Sequence, residues 1–123
     1  MTLSGNIDYE SEVLERYTAG EVAGMLELEY EQLVRVASCF TERDAQWRPA
    51  PGVLSALEII SYLALELLPH GPAPSLSDAL HALDQLYAAW QAESTAFQRV
   101  QARYLAYHLG QLEMLRAILM SSK

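Results

Sequence analysis

Apolar residues recur every three to five positions along most of this chain, with polar and charged residues between them, and that spacing predicts helices. The first series is Val13, Tyr17, Val22, Leu26, Tyr30, Leu33 and Ala37, which predicts a helix from about Asp8 to Phe40. Asp8 and Ser11 are its candidate N-caps. Gly20 and Gly24 fall inside it, a spacing that marks close packing or mild local instability.

Glycine and proline then punctuate the chain in two places, "WRPAPG" at 47–52 and "PHGPAP" at 69–74. Thr41 with Asp44 three residues on caps a short turn ahead of the first. Ser55 with Glu58 forms a capping box that opens a second helix, which runs to about Leu68 and is stopped by Pro69. Its expected core face is Leu54, Leu57, Ile60 (or Ile59), Leu63 and Leu67. Ser75 or Ser77 opens a third helix with Leu76, Leu80, Leu83, Leu86 or Tyr87, and Trp90 on one side. A fourth series follows as Phe97, Val100, Tyr104, His108, Leu112, Leu115 and Leu119.

Between Trp90 and Phe97 lies "QAESTA", polar but without glycine or proline. Two readings are open there. Ser94 or Thr95 caps a separate fourth helix, with Gln98 completing a box on Thr95. Alternatively, the helix continues from about 76 to 120 as a rod of ~65 Å at 1.5 Å per residue. Such a rod would exchange its end with a second chain in a domain-swapped dimer. No strand-like alternation competes, so the expected fold is all-α: a single domain over 1–123, most simply an antiparallel four-helix bundle.

The chain of 123 residues is long enough for one core without covalent staples. Its one cysteine, Cys39, excludes an internal disulfide and fits a reducing compartment. The net charge is −8, and ten of the sixteen acidic residues lie in 1–47 with only three of the eight basic ones. An acidic surface without a basic stripe argues against nucleic-acid binding. The start lacks the basic and apolar regions of a signal peptide. The most apolar run, "LSALEIISYLALELL", contains Glu58 and Glu66 and is too short to span a bilayer. These features predict a soluble, cytoplasmic protein that contacts no membrane.

Candidate chemistry is sparse. His70, His81 and His108 are nowhere four residues apart, so no helical histidine pair is present to grip a metal. Glu58, Glu66 and Glu113 lack the Glu-x-x-His partners of carboxylate-bridged di-metal bundles. Cys39 sits near a helix C-terminus among carboxylates, which disfavours a thiolate. No nucleophile elbow, phosphate loop or dinucleotide fingerprint is found. Trp47, Trp90 and the tyrosines form stripes at helical spacing, which usually means core.

Two stretches nevertheless resemble the DinB/YfiT-like family of small metal-binding four-helix bundles. "WRPAPGVLSALEIISYLA", 47–64, is similar to the family's Trp-x-Pro-x-Pro-Gly, Ser-x-x-Glu and helical histidine. "YLAYHLGQLEMLR", 104–116, is similar to its closing His-x-x-His-His-x-Gly-Gln and Leu-Arg tail. The two cover about a quarter of the chain. The resemblance implies three metal-ligand positions, which fall on Tyr62, Tyr104 and His108, while a further family histidine falls on Tyr107. Family members with intact sites include thiol-dependent transferases and isomerases. With two ligands replaced by tyrosine, the resemblance implies a shortened, degenerate relative.

Neutral phenols, with a pKa near ~10, are weak ligands for zinc or nickel. The expectation is therefore no tightly bound metal, with Tyr62 and Tyr104 filling the former cavity and bonding to each other or to His108. The alternative is a weakly held zinc or nickel on Tyr62, Tyr104 and His108, with Glu58 or Glu66 nearby and Trp47 and Tyr107 lining the pocket. The function so implied is a non-enzymatic binding or interaction module. It would be a homodimer whose small-molecule ligand the residues do not name. A residual thiol transferase or isomerase is the alternative.

Overall fold

Thr18 opens the first helix. In the computed structural model, which describes residues 18–65 and 73–122, Thr18 is extended (φ −69°, ψ 163°) and its Oγ1 accepts the Glu21 N–H at 3.1 Å. Helix α1 then runs Ala19–Ala37. The uninterrupted helix expected from Asp8 is corrected here. A capping threonine breaks it although the apolar spacing runs straight across, because a side-chain oxygen meeting an orphan N–H favours a helix start. Asp8, Ser11, Val13 and Tyr17 lie outside the described residues, as do Glu66, Leu67, Leu68, Pro69 and His70.

Beyond Ala37 the chain tightens. Cys39 and Phe40 donate their N–H groups to Val36 and Ala37, and Phe40 still reaches the core. Thr41 Oγ1 accepts the Asp44 N–H at 3.0 Å and starts a 3-10 turn, Asp44–Gln46. In the following link Gly52 has φ +84°, a left-handed conformation that favours glycine. The capping box at Ser55 forms as expected. Ser55 N–H donates to Glu58 Oε1 at 3.0 Å, and Glu58 N–H donates to Ser55 Oγ at 3.2 Å.

Helix α2, Ala56–Leu65, buries Leu57, Ile59, Ile60, Ser61, Leu63 and Ala64, so it is covered on most sides. Leu54, expected on its core face, is 43% exposed because it precedes the helix. The buried Ser61 Oγ accepts the Ala73 N–H at 3.0 Å and tethers the approach to the third helix. Helix α3, Leu76–Trp90, has Ser75 as its N-cap, with Ser75 Oγ accepting the Asp78 N–H. A second cap comes from far away in sequence: the Glu42 carboxylate accepts the Leu76 and Ser77 N–H groups at 2.8 and 3.0 Å. A carboxylate at a helix N-terminus is favoured both by those bonds and by the helix dipole.

Helices α3 and α4 are separate in this chain. The turn lies at 91–94, and Ser94 Oγ accepts the Phe97 N–H at 3.2 Å to start α4, Thr95–Ser122. The single rod over 76–120 is thus not what this chain forms. Gln98 supplies the reason. It is buried, and its Nε2 donates to the carbonyls of Trp90 and Gln91 at 3.1 and 3.2 Å. The Trp90 carbonyl also takes the Glu93 N–H at 3.0 Å, so the Gln98 amide adds a second bond there and supplies a donor to the Gln91 carbonyl, holding the turn against the start of α4. The expected box on Thr95 is replaced by this bridge.

The four helices share one core, in which α4 packs along α1 and α2 packs against α3 and α4. Tyr30 of α1 stacks on Tyr87 of α3 (centroids 3.9 Å, 4° apart) and donates its hydroxyl to Asp84 at 2.8 Å. Burial first, and Asp84 next, push the Tyr30 phenol up, so it stays a donor throughout the ordinary pH range. Ile59 shares a cleft with Leu115 and Ile118, and Tyr62, one turn on, meets His108; α2 and α4 therefore run in opposite directions. Among the described residues the fold is all-α with four helices, and no helix is long and apolar enough to cross a membrane.

The register of α4 differs from expectation in its first half. Gln98, Ala102, Leu105, His108, Leu112, Leu115 and Leu119 face the core, while Val100 and Tyr104 are 51% and 49% exposed. The buried series keeps steps of three and four, as a single helix face requires.

Candidate functional site

The three positions singled out by the resemblance come together. The Tyr62 ring lies 5.8 Å from the His108 ring and the Tyr104 ring 6.2 Å, centroid to centroid. Tyr107 meets the imidazole edge-on at 5.1 Å. His108 is buried, and helix geometry explains why it gathers these rings. Tyr104 is one turn before it on α4, Tyr107 is adjacent, and the antiparallel α2 brings Tyr62 across.

The tyrosines do not fill a closed cavity, and neither phenol is the hydrogen-bond partner of His108. That expectation is corrected. Tyr62, Tyr104 and Tyr107 are 38%, 49% and 65% exposed, and His108 Nδ1 lies 2.7 Å from Gln111 Oε1. Gln111 is three residues on, so it sits above His108 on the helix, and its Nε2 also donates to the Tyr107 hydroxyl at 3.4 Å. With its Nε2 given to Tyr107, Gln111 turns Oε1 toward His108 Nδ1. Every buried side-chain nitrogen and oxygen among the described residues has a partner.

The other anticipated residues serve different ends. Trp47 is half-buried and packs against the core. Glu58 is engaged by Arg48, whose Nε donates to Oε1 at 2.7 Å and whose second nitrogen pairs with Oε2. That fork ties the 47–55 link to the start of α2. Arg48, the burial of the group and the Ser55 bonds act on Glu58 together, and the hydrogen bond from Arg48 is the largest influence, holding the carboxyl below its ordinary value of 4.5. A carboxyl depressed in the folded state stabilises above the unfolded value, and that stability is lost as pH falls through the folded one. The thermal midpoint of the wild-type protein is therefore expected to fall more steeply below about pH 5 than that of Glu58→Gln, which keeps the cap but has no charge to lose. Paired melting curves between neutral and acid pH measure the difference. Glu66 lies outside the described residues.

As a metal centre the cluster fits poorly. Its donors are one imidazole and two neutral phenols, where zinc or nickel takes imidazoles, thiolates or carboxylates. No group of three or more His, Cys, Asp or Glu gathers among the described residues.

What surrounds the cluster is apolar and open. Val100, Tyr104 and Tyr107 line one groove with Arg103, of about 300 Å³. Beyond Gln111, a cleft of about 270 Å³ is lined by Val53, Leu54, Met114 and Ile118 over the buried Ile59 and Leu115. Gln111 links the two through its bonds to Tyr107 and His108. The sequence signal for this face is a second, largely apolar series on α4, one residue ahead of the buried one from Tyr104/Leu105 to Ile118/Leu119. A comparison with models of known protein families finds no match, and neither do comparisons with curated proteins and with solved structures.

Proposed function

We propose that this chain is a non-enzymatic binding or interaction module of the cytoplasm, a shortened and degenerate DinB/YfiT-like domain that works without a tightly bound metal. The observation that carries the reading is the open aromatic and aliphatic face at Tyr62, Tyr104 and Tyr107, running on to Val53, Leu54, Met114 and Ile118. Contiguous apolar surface of this extent on a soluble domain marks an interaction site. The residues beside His108 support the same conclusion, since weak phenolic donors stand where the family's ligands would be.

A residual metal-dependent thiol transferase or isomerase is the second reading, favoured by one feature. Gln111 holds the His108 ring through Nδ1, as an outer-shell partner holds a ligand histidine. Thiol-transfer assays with added nickel, zinc or manganese separate the two. The expected result is turnover that does not differ between wild type and His108→Ala. Metal-stimulated transfer that His108→Ala abolishes would establish the second reading.

A further inference from the structure

Resting on the reading of this face as an interaction surface, we propose that its occupant is a second copy of the chain, docked through α4 in antiparallel fashion. The exposed series Val100, Tyr104, Tyr107, Gln111, Met114 and Ile118 advances in steps of four, three, four, three and four. That is the spacing of a seam made for another helix. The protomer's own core is served by a different series, Ala102, Leu105, His108, Leu112, Leu115 and Leu119. Helix α4 thus has two apolar faces, and its own chain covers one.

The seam is self-complementary when reversed. One two-fold axis between Tyr107 and Gln111, level with Leu109 whose side chain packs on the protomer's own core, places Val100 against Ile118 of the partner subunit, Tyr104 against Met114 of the partner subunit, and Tyr107 against Gln111 of the partner subunit. Each pair recurs on the other side of the axis, as an isologous interface demands. The large rings meet flexible or slender side chains, and the single polar pair sits at the centre, where it fixes the register. No charged residue lies on the seam itself, so the net charge of −8 does not oppose contact there.

Gly110 adds an independent observation. It lies in mid-helix next to the axis, and a Cβ added there meets nothing within 4 Å in its own chain. Glycine is unfavourable at such a position, and the protomer's packing does not require it. Flanking the seam, it leaves room there for the close approach of a second α4. Together with Val53, Leu54 and Tyr62, the exposed parts of the seam present on the order of 800 Å², about what one partner contributes to a standard interface. That exceeds the roughly 300–600 Å² of the largest patch on a typical monomer.

Light scattering after size exclusion at tens of micromolar protein is expected to give twice the 13.7 kDa chain mass. Tyr107→Glu and Met114→Glu are expected to give the monomer mass with unchanged helical circular dichroism, because both side chains are already about two-thirds exposed. In a Cys39→Ser background, Gly110→Cys should crosslink under mild oxidation and Arg116→Cys should not. A wild-type monomer would overturn the proposal and point to residues 1–17 or another protein as the occupant. A dimer that survives both glutamate variants and forms no Gly110→Cys crosslink would overturn it too, since exchanged ends or another face would then hold the copies together. Neither result bears on metal-stimulated thiol transfer, which decides the module reading separately.

Discussion

Leu105→Ala is expected to lower the unfolding free energy by about 2–5 kcal/mol, whereas Tyr104→Ala should change it by no more than about 1 kcal/mol. Leu105 is fully buried in the shared core and its truncation opens a hole there. Tyr104 is half exposed and contributes mainly a ring contact to His108. Urea denaturation of both variants in the Tyr107→Glu background removes association from the comparison. The sign of the contrast decides which side of α4 faces the core. Were Tyr104 the larger loss, the buried series would have to run through Val100 and Tyr104 instead.

Ser61→Ala should cost about 1–3 kcal/mol although it removes a single oxygen. Ser61 is buried in α2 and its hydroxyl is the acceptor for the Ala73 N–H. Alanine leaves that donor buried without a partner, which costs more than a hydrogen bond contributes on average. The loss should appear in the denaturation midpoint without a change in slope, as for any change in stability that leaves the exposed area alone. Ser77→Ala provides the contrast. Ser77 is exposed and only its backbone is used, by Glu42, so its stability should stay within about 0.5 kcal/mol of wild type.

Helix starts were legible wherever their chemistry is local. Thr41 with Asp44 and Ser55 with Glu58 cap as their three-residue spacing suggests, and of the two serines offered for α3 it is Ser75 that caps, because an N-cap needs only its own first turn. The start at Thr18 was masked by apolar residues whose spacing continues through it. The Glu42 cap on α3 was not readable at all, since 34 residues separate donor from acceptor and only the fold joins them.

The register of α4 failed for a different reason. Its two largely apolar series are offset by one residue from Tyr104/Leu105 onward, and both satisfy steps of three and four. A single helix with two apolar faces carries no label saying which is inside. Polarity misled as well. Gln98 is polar and buried because its amide is satisfied by the Trp90 and Gln91 carbonyls at the end of α3, while Tyr104 is large and half exposed. Of the candidate site, the grouping of Tyr62, Tyr104 and Tyr107 with His108 was expected only from the family resemblance, since spacing alone does not bring α2 to α4. The partner of His108 was not. Gln111 brings its Oε1 to 2.7 Å from Nδ1, a contact that neither the Tyr62 nor the Tyr104 hydroxyl makes although Tyr104 is also one turn away on the same helix.

Elemental analysis of untagged protein, purified without chelators, tests the central claim most directly. Two phenols and one imidazole are too weak a donor set to retain a divalent ion through purification. The expected content is far below one equivalent of zinc, nickel or any other divalent metal per chain, with no change in His108→Ala. About one equivalent in the wild type, lost in His108→Ala, would contradict it.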